Sequence, residues 1–235
     1  GTGVVVNAYD PHLDLDVAIK ILNYDESGMT AVRLQREAMA AGKLNHLNIA
    51  RVFDFGQTDD GSPYMVMELL HGKSLDVLLK QRGALPLAEA LPIFIQLCEG
   101  LNFAHSVGIV HRDLKPANVF VSKGQVKIFD FGVAKFENVD QSLTTTRDLI
   151  GSPLYVSPEQ ARRDQSDLRA DIYSLGCLMF ETLTGIVPLK GKTALETISL
   201  HRGKAPPLIS DIIEHAEFPE KLVDLVNRCL AKLDR

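Results

Sequence analysis

His111–Val121, which reads His-Arg-Asp-Leu-Lys-Pro-Ala-Asn-Val-Phe-Val, and the triplet Asp130-Phe131-Gly132 are the stretches on which the reading of this chain turns. In the first, Arg112, Asp113 and Lys115 stand between the apolar runs Gly108-Ile109-Val110 and Val119-Phe120-Val121. Charges hemmed in by buried segments must be paired or put to use. Taken alone, such a cluster is a solvated turn with an ion pair. It is not alone, because Asp130 follows the strand-like Val126–Phe129 and precedes a glycine that permits an unusual backbone turn. Asn118 and Asp130 then offer the hard oxygens that Mg²⁺ takes when phosphates complete its coordination.

Outward from these segments the pattern divides in two. Val4–Ala8 and Asp16–Leu22 are rich in Val and Ile and flank the turn-forming Asp10-Pro11, which predicts a hairpin. Leu34, Ala38, Ala41 and Leu44 recur at helical spacing over Ala31–Lys43, and Ala50–Gly56 and Tyr64–Glu68 read as two strands around Asp59-Asp60-Gly61-Ser62-Pro63. After Leu70-His71-Gly72 the period becomes helical. Leu87–Ser106 carries one stripe (Ala90, Ile93, Phe94, Leu97, Leu101, Ala104), and Ala170–Thr184 is apolar on nearly every side, the mark of a helix buried all round. Two short strands, Val119–Val121 and Val126–Ile128, would hold the polar motifs on a rigid hairpin. Phe136–Asp148, with Thr144-Thr145-Thr146, reads as a mobile loop.

The 235 residues, 46% of them hydrophobic and 23% charged, suffice for one large domain or two small lobes. A net charge of −5 argues against the basic surface that a phosphate-backbone binder needs, so no nucleic-acid partner is expected. Cys98, Cys177 and Cys229 form no C-x-x-C pair and read as buried thiols of a reducing compartment. The longest apolar stretch, around Ile172–Phe180, falls far short of the roughly 20 residues that span a bilayer. A cytoplasmic domain without membrane contact is expected, with any membrane segment lying outside it.

H-R-D-L-K-P-A-N followed by D-F-G matches the catalytic and metal-binding loops of protein kinases residue for residue, and the chain therefore resembles a bacterial-type (eukaryotic-like) Ser/Thr protein kinase catalytic domain. The resemblance implies an α+β, bilobal fold: a small mainly-β N-lobe with one helix (1–67), a hinge (68–72) and a larger mainly-α C-lobe (73–235). It implies ATP and Mg²⁺ (or Mn²⁺) as cofactors and proteins as substrates. By position, Asp113 would accept the proton of the attacking hydroxyl, Lys115 would neutralise the transferring phosphoryl group, and Asn118 and Asp130 would hold the metal. Lysine two residues after Asp113 is more similar to Ser/Thr than to Tyr kinases.

Lys20, at the end of Val17-Ala18-Ile19-Lys20, would by default be a solvated strand-end lysine; the resemblance makes it the phosphate-orienting lysine. Glu37 shares the apolar face of its helix and so wants a cation, for which Lys20 is the family's match. Of the glycine-rich loop, Gly3 would be the third glycine and Val5 the closing valine, so the loop's first two glycines would precede residue 1. Val5 and Ala18 would lie against the nucleotide, Met67 would stand at the back of the adenine pocket, and the backbones of Glu68 and Leu70 would bond the base. His46-x-Asn48 is given a packing role.

Gly151-Ser152-Pro153-Leu154-Tyr155 resembles the substrate-docking loop, with Ser152 near Asp113, and Ser157-Pro158-Glu159 resembles A-P-E with Ser for Ala. Asp171 would brace the catalytic loop. Arg112 beside Asp113 resembles kinases regulated by activation-loop phosphorylation, with Thr144 and Thr146 as acceptors; an ordinary polar loop tip is the plainer reading. Leu222–Arg235 resembles the last helices of the family, with Arg235 a stand-in for the arginine that pairs with the glutamate at position 159; without it, Glu159 would be a buried unpaired charge. A non-catalytic nucleotide-binding scaffold (a pseudokinase) and a small-molecule kinase are the alternatives. Retention of Lys20, Asp113 and Asp130 argues against the first, and Lys115 with Ser157-Pro158-Glu159 against the second.

Overall fold

Val- and Ile-rich β1 (Gly3–Asp10) and β2 (Leu15–Leu22) pair antiparallel from Gly3 opposite Leu22 to Asp10 opposite Leu15. Asp10 begins the turn by accepting the amide of His12 at 2.8 Å, a local bond that competes with further strand pairing. A computed structural model describes residues 3–12, 14–23, 29–131, 153–212 and 218–232. Helix α1 (Met29–Ala41) follows, then β3 (Val52–Gln57) and β4 (Pro63–Glu68), which complete an antiparallel sheet in the order β1-β2-β4-β3. Leu34 and Ala38, four residues apart on one face of α1, pack on Met65, with Leu22, Val52 and Met67 around them. Elements begin and end within a few residues of their expected positions.

Next come β5 (Lys73–Ser74) and α2 (Leu75–Arg82), neither of which the sequence pattern announces. Local chemistry accounts for α2: Asp76 lies in its positive first turn, Lys80 and Arg82 in its negative last turn, and Gly83 closes it at φ 72°. Helix α3 (Leu87–Ser106) and α5 (Arg169–Thr184) form the spine of the larger lobe, with α4 (Pro158–Arg162), α6 (Ala194–Gly203), α7 (Ile209–Ile212) and α8 (Glu220–Cys229) around them. Between α3 and α4 lie a 3₁₀ turn (Pro116–Asn118), the hairpin β6 (Val119–Ser122) and β7 (Gln125–Ile128), and a second 3₁₀ turn (Pro153–Tyr155). The fold is thus a β-sheet lobe with one helix and a mainly helical lobe.

Three expectations change. Helix α3 is long and apolar enough to cross a membrane by length and composition, a stretch longer than Ile172–Phe180, yet its stripe Ala90, Ile93, Phe94, Leu97, Leu101 and Ala104 is buried in the core of the larger lobe. Helix α5 is buried almost throughout, but Ile172 is 36% exposed. Of the cysteines, all free, only Cys177 is fully buried; Cys98 is exposed, because it lies on α3 outside the core stripe, and Cys229 is partly exposed at the end of α8.

Candidate active site

The loop from His111 to Asn118 is held from below by Asp171, fully buried in the first turn of α5. Its Oδ2 accepts the amide of His111 at 2.8 Å and lies 2.7 Å from His105 Nε2, while its Oδ1 accepts the amide of Arg112 at 2.7 Å. Arg112 sits at φ 63°, a left-handed conformation that costs a non-glycine residue about 1–3 kcal/mol unless its surroundings impose it. The carboxylate supplies that constraint, and Gln160 adds to it by donating to the Arg112 carbonyl at 3.0 Å.

His111 is buried and stacks on Phe131 with ring centroids 4.6 Å apart. Its Nδ1 accepts the Asp113 amide at 3.2 Å, so the proton is on Nε2, which donates to the Phe129 carbonyl at 3.1 Å. Burial lowers the imidazole pKa from its ordinary value despite nearby Asp171, which keeps the ring neutral in this bridging role. One side chain therefore links the loop that carries Asp113 to the strand end that carries Asp130.

Asp113 Oδ2 accepts from Lys115 Nζ at 2.7 Å and from Asn118 Nδ2 at 3.3 Å, and the Asp113 carbonyl accepts from the same Asn118 nitrogen at 2.9 Å. Asn118 is 4% exposed, with its amide nitrogen committed to Asp113, so the atom it can offer a cation is Oδ1. Asp130 emerges after β7 at φ 63°, and its carboxylate pairs with Lys20 Nζ. The structure thus brings together Asp113, Lys115 and Asn118 on one loop and Lys20 and Asp130 across the two lobes. Glu37 is half-buried on α1 with contacts of its own. The carboxylate that closes on Lys20 from the other lobe is Asp130, a pairing that helix phase alone does not foretell.

Lys20 stands in β2 opposite Val5 on one side and Met65 on the other, and Ala18 stands opposite Met67. Val5 is 63% exposed on the outer strand, whereas Ala18 is buried. A side chain at Gly3 would bring a Cβ within 2.1 Å of the Ile21 carbonyl oxygen, so this end of β1 approaches β2 as closely as only glycine allows. At the hinge, the Glu68 amide donates to the Arg51 carbonyl at 2.9 Å, so the backbone group Glu68 can offer a base is its carbonyl. Leu70 is half-buried.

The second 3₁₀ turn and α4 lie beside the catalytic loop. Ser157 caps α4 in a reciprocal box: its Oγ accepts the Gln160 amide at 3.3 Å, and Gln160 Oε1 accepts the Ser157 amide at 3.1 Å, with Pro158 in the first turn. The serine that departs from A-P-E thus has a structural use. Tyr155 donates its hydroxyl to Glu181 at 2.5 Å and accepts Ser174 Oγ on its carbonyl at 2.7 Å; burial raises the pKa of both the phenol and the carboxyl. Glu159 is half-buried rather than buried. Gly132, Thr144, Thr146, Gly151, Ser152 and Arg235 lie outside the described residues.

His46 accepts the Asn48 amide on Nδ1 at 3.1 Å and stacks on Phe103, while Asn48 Nδ2 donates to Gln96 and to the Val126 carbonyl, each at 2.9 Å. Sequence reasoning missed His105, Gln96, Gln160 and Lys127. Lys127 Nζ binds Glu68 Oε2 at 2.8 Å. Partners that lie tens of residues away along the chain leave no periodic signal; the one local cue was Ser157-x-x-Gln160, a capping-box spacing.

A family model described as the protein kinase domain matches residues 1–235. The serine/threonine-protein kinase PknB of Mycobacterium leprae is 38% identical over 238 residues, covering 99% of this chain and 38% of that protein. A probable serine/threonine-protein kinase PknB of Lactococcus lactis subsp. lactis is 39% identical over 239 residues, with the same two coverages. The chain therefore spans 38% of the length of these curated relatives. Among solved structures, the kinase domain of Mycobacterium tuberculosis PknI, in a single-site mutant form, aligns with a TM-score of 0.74 at 26% identity, covering 99% of this chain and 83% of that one. With the H-R-D loop braced by Asp171, Asp130 set at a strand end beneath Lys20, and a family match along the whole length, the chain belongs to the protein kinase domain family.

Proposed function

We propose that this domain is a Ser/Thr protein kinase that transfers the γ-phosphoryl group of Mg-ATP to hydroxyls of protein substrates. The observation that carries the reading is the pairing of a largely buried, doubly hydrogen-bonded carboxylate, Asp113, with Lys115 on a loop fixed by Asp171, opposite Lys20 and Asp130. Asp113 accepts the proton of the attacking hydroxyl. Lys115, within hydrogen-bond reach of that carboxylate, neutralises charge on the phosphoryl group as it moves. The Asn118 amide oxygen and the Asp130 carboxylate are hard donors suited to a Mg²⁺ ion (or Mn²⁺) that completes its shell with phosphate. Bound there, the ion would neutralise charge on the phosphates. Lys20 orients the α- and β-phosphates, and the Glu68 carbonyl and Leu70 backbone hold the base. The named Ser/Thr kinases among the relatives and Lys115 support hydroxyl transfer to Ser or Thr.

Regulation by phosphorylation of Thr144 or Thr146, with Arg112 as the cation that receives the phosphate, belongs to the same proposal, as does a signalling role in the cytoplasm without contact to membrane or nucleic acid. Free cysteines, an acidic net charge and the burial of α3 in the core support that setting. Incubation with radiolabelled ATP and Mg²⁺ tests the enzyme reading: the unaltered protein labels itself or a protein acceptor, while Lys20→Met and Asp113→Asn do not. Equal label in all three refutes it. Mass spectrometry that finds no phosphate between Val133 and Ser157 refutes the regulatory part.

A further inference from the structure

Lys127 lies in β7, three residues before Asp130, and its neighbours Val126 and Ile128 are fully buried. Side chains alternate along a strand, so Lys127 leaves the core on the opposite face. There its ammonium meets Glu68 Oε2 at 2.8 Å, with the two side chains only 14% and 28% exposed. The same Glu68 oxygen accepts the Arg51 amide at 3.2 Å, and the Glu68 amide donates to the Arg51 carbonyl at 2.9 Å. Beside this pair, the Ala50 amide donates to the Ile128 carbonyl at 2.9 Å and the Ile128 amide to the Asn48 carbonyl at 2.8 Å, a parallel bridge between the lobes.

On the proposed function, Glu68 is the hinge residue whose carbonyl would meet the base, and Asp130 is the residue that would meet the phosphates through the metal. Between them run one ion pair and two residues, Ile128 and Phe129. We infer that Lys127 is a positioning residue for ATP: by holding the Glu68 side chain it sets the hinge carbonyl at a fixed separation from Asp130, so that base and phosphates are met together. The inference rests on the kinase reading above. It acts through the backbones of Glu68 and Asp130 and needs no contact between Lys127 and the nucleotide.

A brace that served stability alone would lower the melting temperature and leave ATP affinity as it was. The test measures the Kd of ATP by calorimetry, without protein substrate, and separately KM for ATP, KM for the protein substrate and kcat, well below the melting temperature. Lys127→Met is expected to raise both the Kd and the KM of ATP about fivefold, the size of a typical coupling between contacting residues, with kcat and the KM for protein substrate within about twofold. Lys127→Arg keeps wild-type affinity. Lys127→Met with Glu68→Gln is no worse than the worse single variant, because the two changes break one contact. Wild-type ATP affinity in Lys127→Met, or equal rises in the KM of both substrates, overturns the inference. ATP binding that weakens as described in a protein that transfers no phosphate supports it while refuting the kinase reading; a wild-type protein that does not bind ATP refutes both.

Discussion

Asp171→Asn is the substitution that most directly examines how the catalytic loop is held. The native carboxylate receives three donors: the amides of His111 and Arg112 and the ring of His105, all within 2.8 Å. An asparagine can present only one oxygen. Set toward His111 and His105, that oxygen keeps two donors, but its NH₂ then faces the Arg112 amide, donor against donor. A buried donor left without an acceptor costs about 1–3 kcal/mol, and the lost acceptor is the one that holds Arg112 at φ 63°. About 2 kcal/mol in a chain of this size lowers Tm by roughly 4–8 °C. Asp113, the proposed proton acceptor, follows Arg112 directly, and misplacement of such a group by about 1 Å is enough for a loss on the order of 10²-fold in kcat. Differential scanning calorimetry and initial-rate kinetics at saturating ATP provide the two readouts. If Tm stays within a degree of wild type and kcat is unchanged, Asp171 does not hold the loop and the argument fails.

Ser157→Ala removes the cap of α4 and is expected to cost about 1 kcal/mol, seen as a lower urea midpoint at unchanged slope; an unchanged midpoint would mean that the capping box is dispensable. At Gly176 an added Cβ would lie 2.8 Å from Cys229 Cβ and 3.1 Å from Leu230, so Gly176→Ala forces α5 and α8 apart at about 1–3 kcal/mol, which thermal unfolding will register. His201 is fully buried, with Nδ1 2.9 Å from the Tyr173 hydroxyl, and burial, helped by Lys232, pulls its pKa down to about 4. A depressed histidine pKa means that the unfolded chain takes up the proton first: the contribution is whole above about pH 6.5 and is lost as pH falls toward 4, by about 3 kcal/mol in total. His201→Gln should flatten that acid limb of the stability curve, and an unaltered limb would assign it to other groups.

The elements were legible where the hydrophobic period was strong. Leu87–Ser106 was read with the same ends that the fold has, because a 20-residue stripe integrates many weak preferences. Helix α2 escaped because eight residues with only Leu75 and Leu79 buried carry little period, and its N-terminus has no side-chain cap hydrogen bond to announce it. The exposure of Cys98 follows from the α3 stripe, which does not include it; residue type, not helix phase, led to the expectation of a buried thiol. Site residues were legible as local motifs, and one support, Asp171, was legible through the family resemblance, whereas His105 and Gln160 were not. Gln160 and Asp171 meet the catalytic loop from 48 to 60 residues away, and His105 meets Asp171 from 66 residues away. Only the fold can close such distances.

Lys20 shows what that limit means for mechanism. Helix phase points to Glu37, which has contacts of its own, as the inward carboxylate that wants a cation; that Asp130 also reaches Lys20, from 110 residues further along the chain, is beyond any local pattern. Lys115 likewise lies on Asp113, and in both pairs each side chain is no more than a third exposed. Bare charges in such places would be costly to keep out of water, whereas paired ones are tolerated. A polyphosphate with its divalent cation carries both signs, so it can exchange partners with Lys20 and Asp130 instead of meeting unscreened charge. On the proposed function, the charges of the phosphoryl-transfer site already have partners when the chain folds, and nucleotide binding substitutes one set of partners for another.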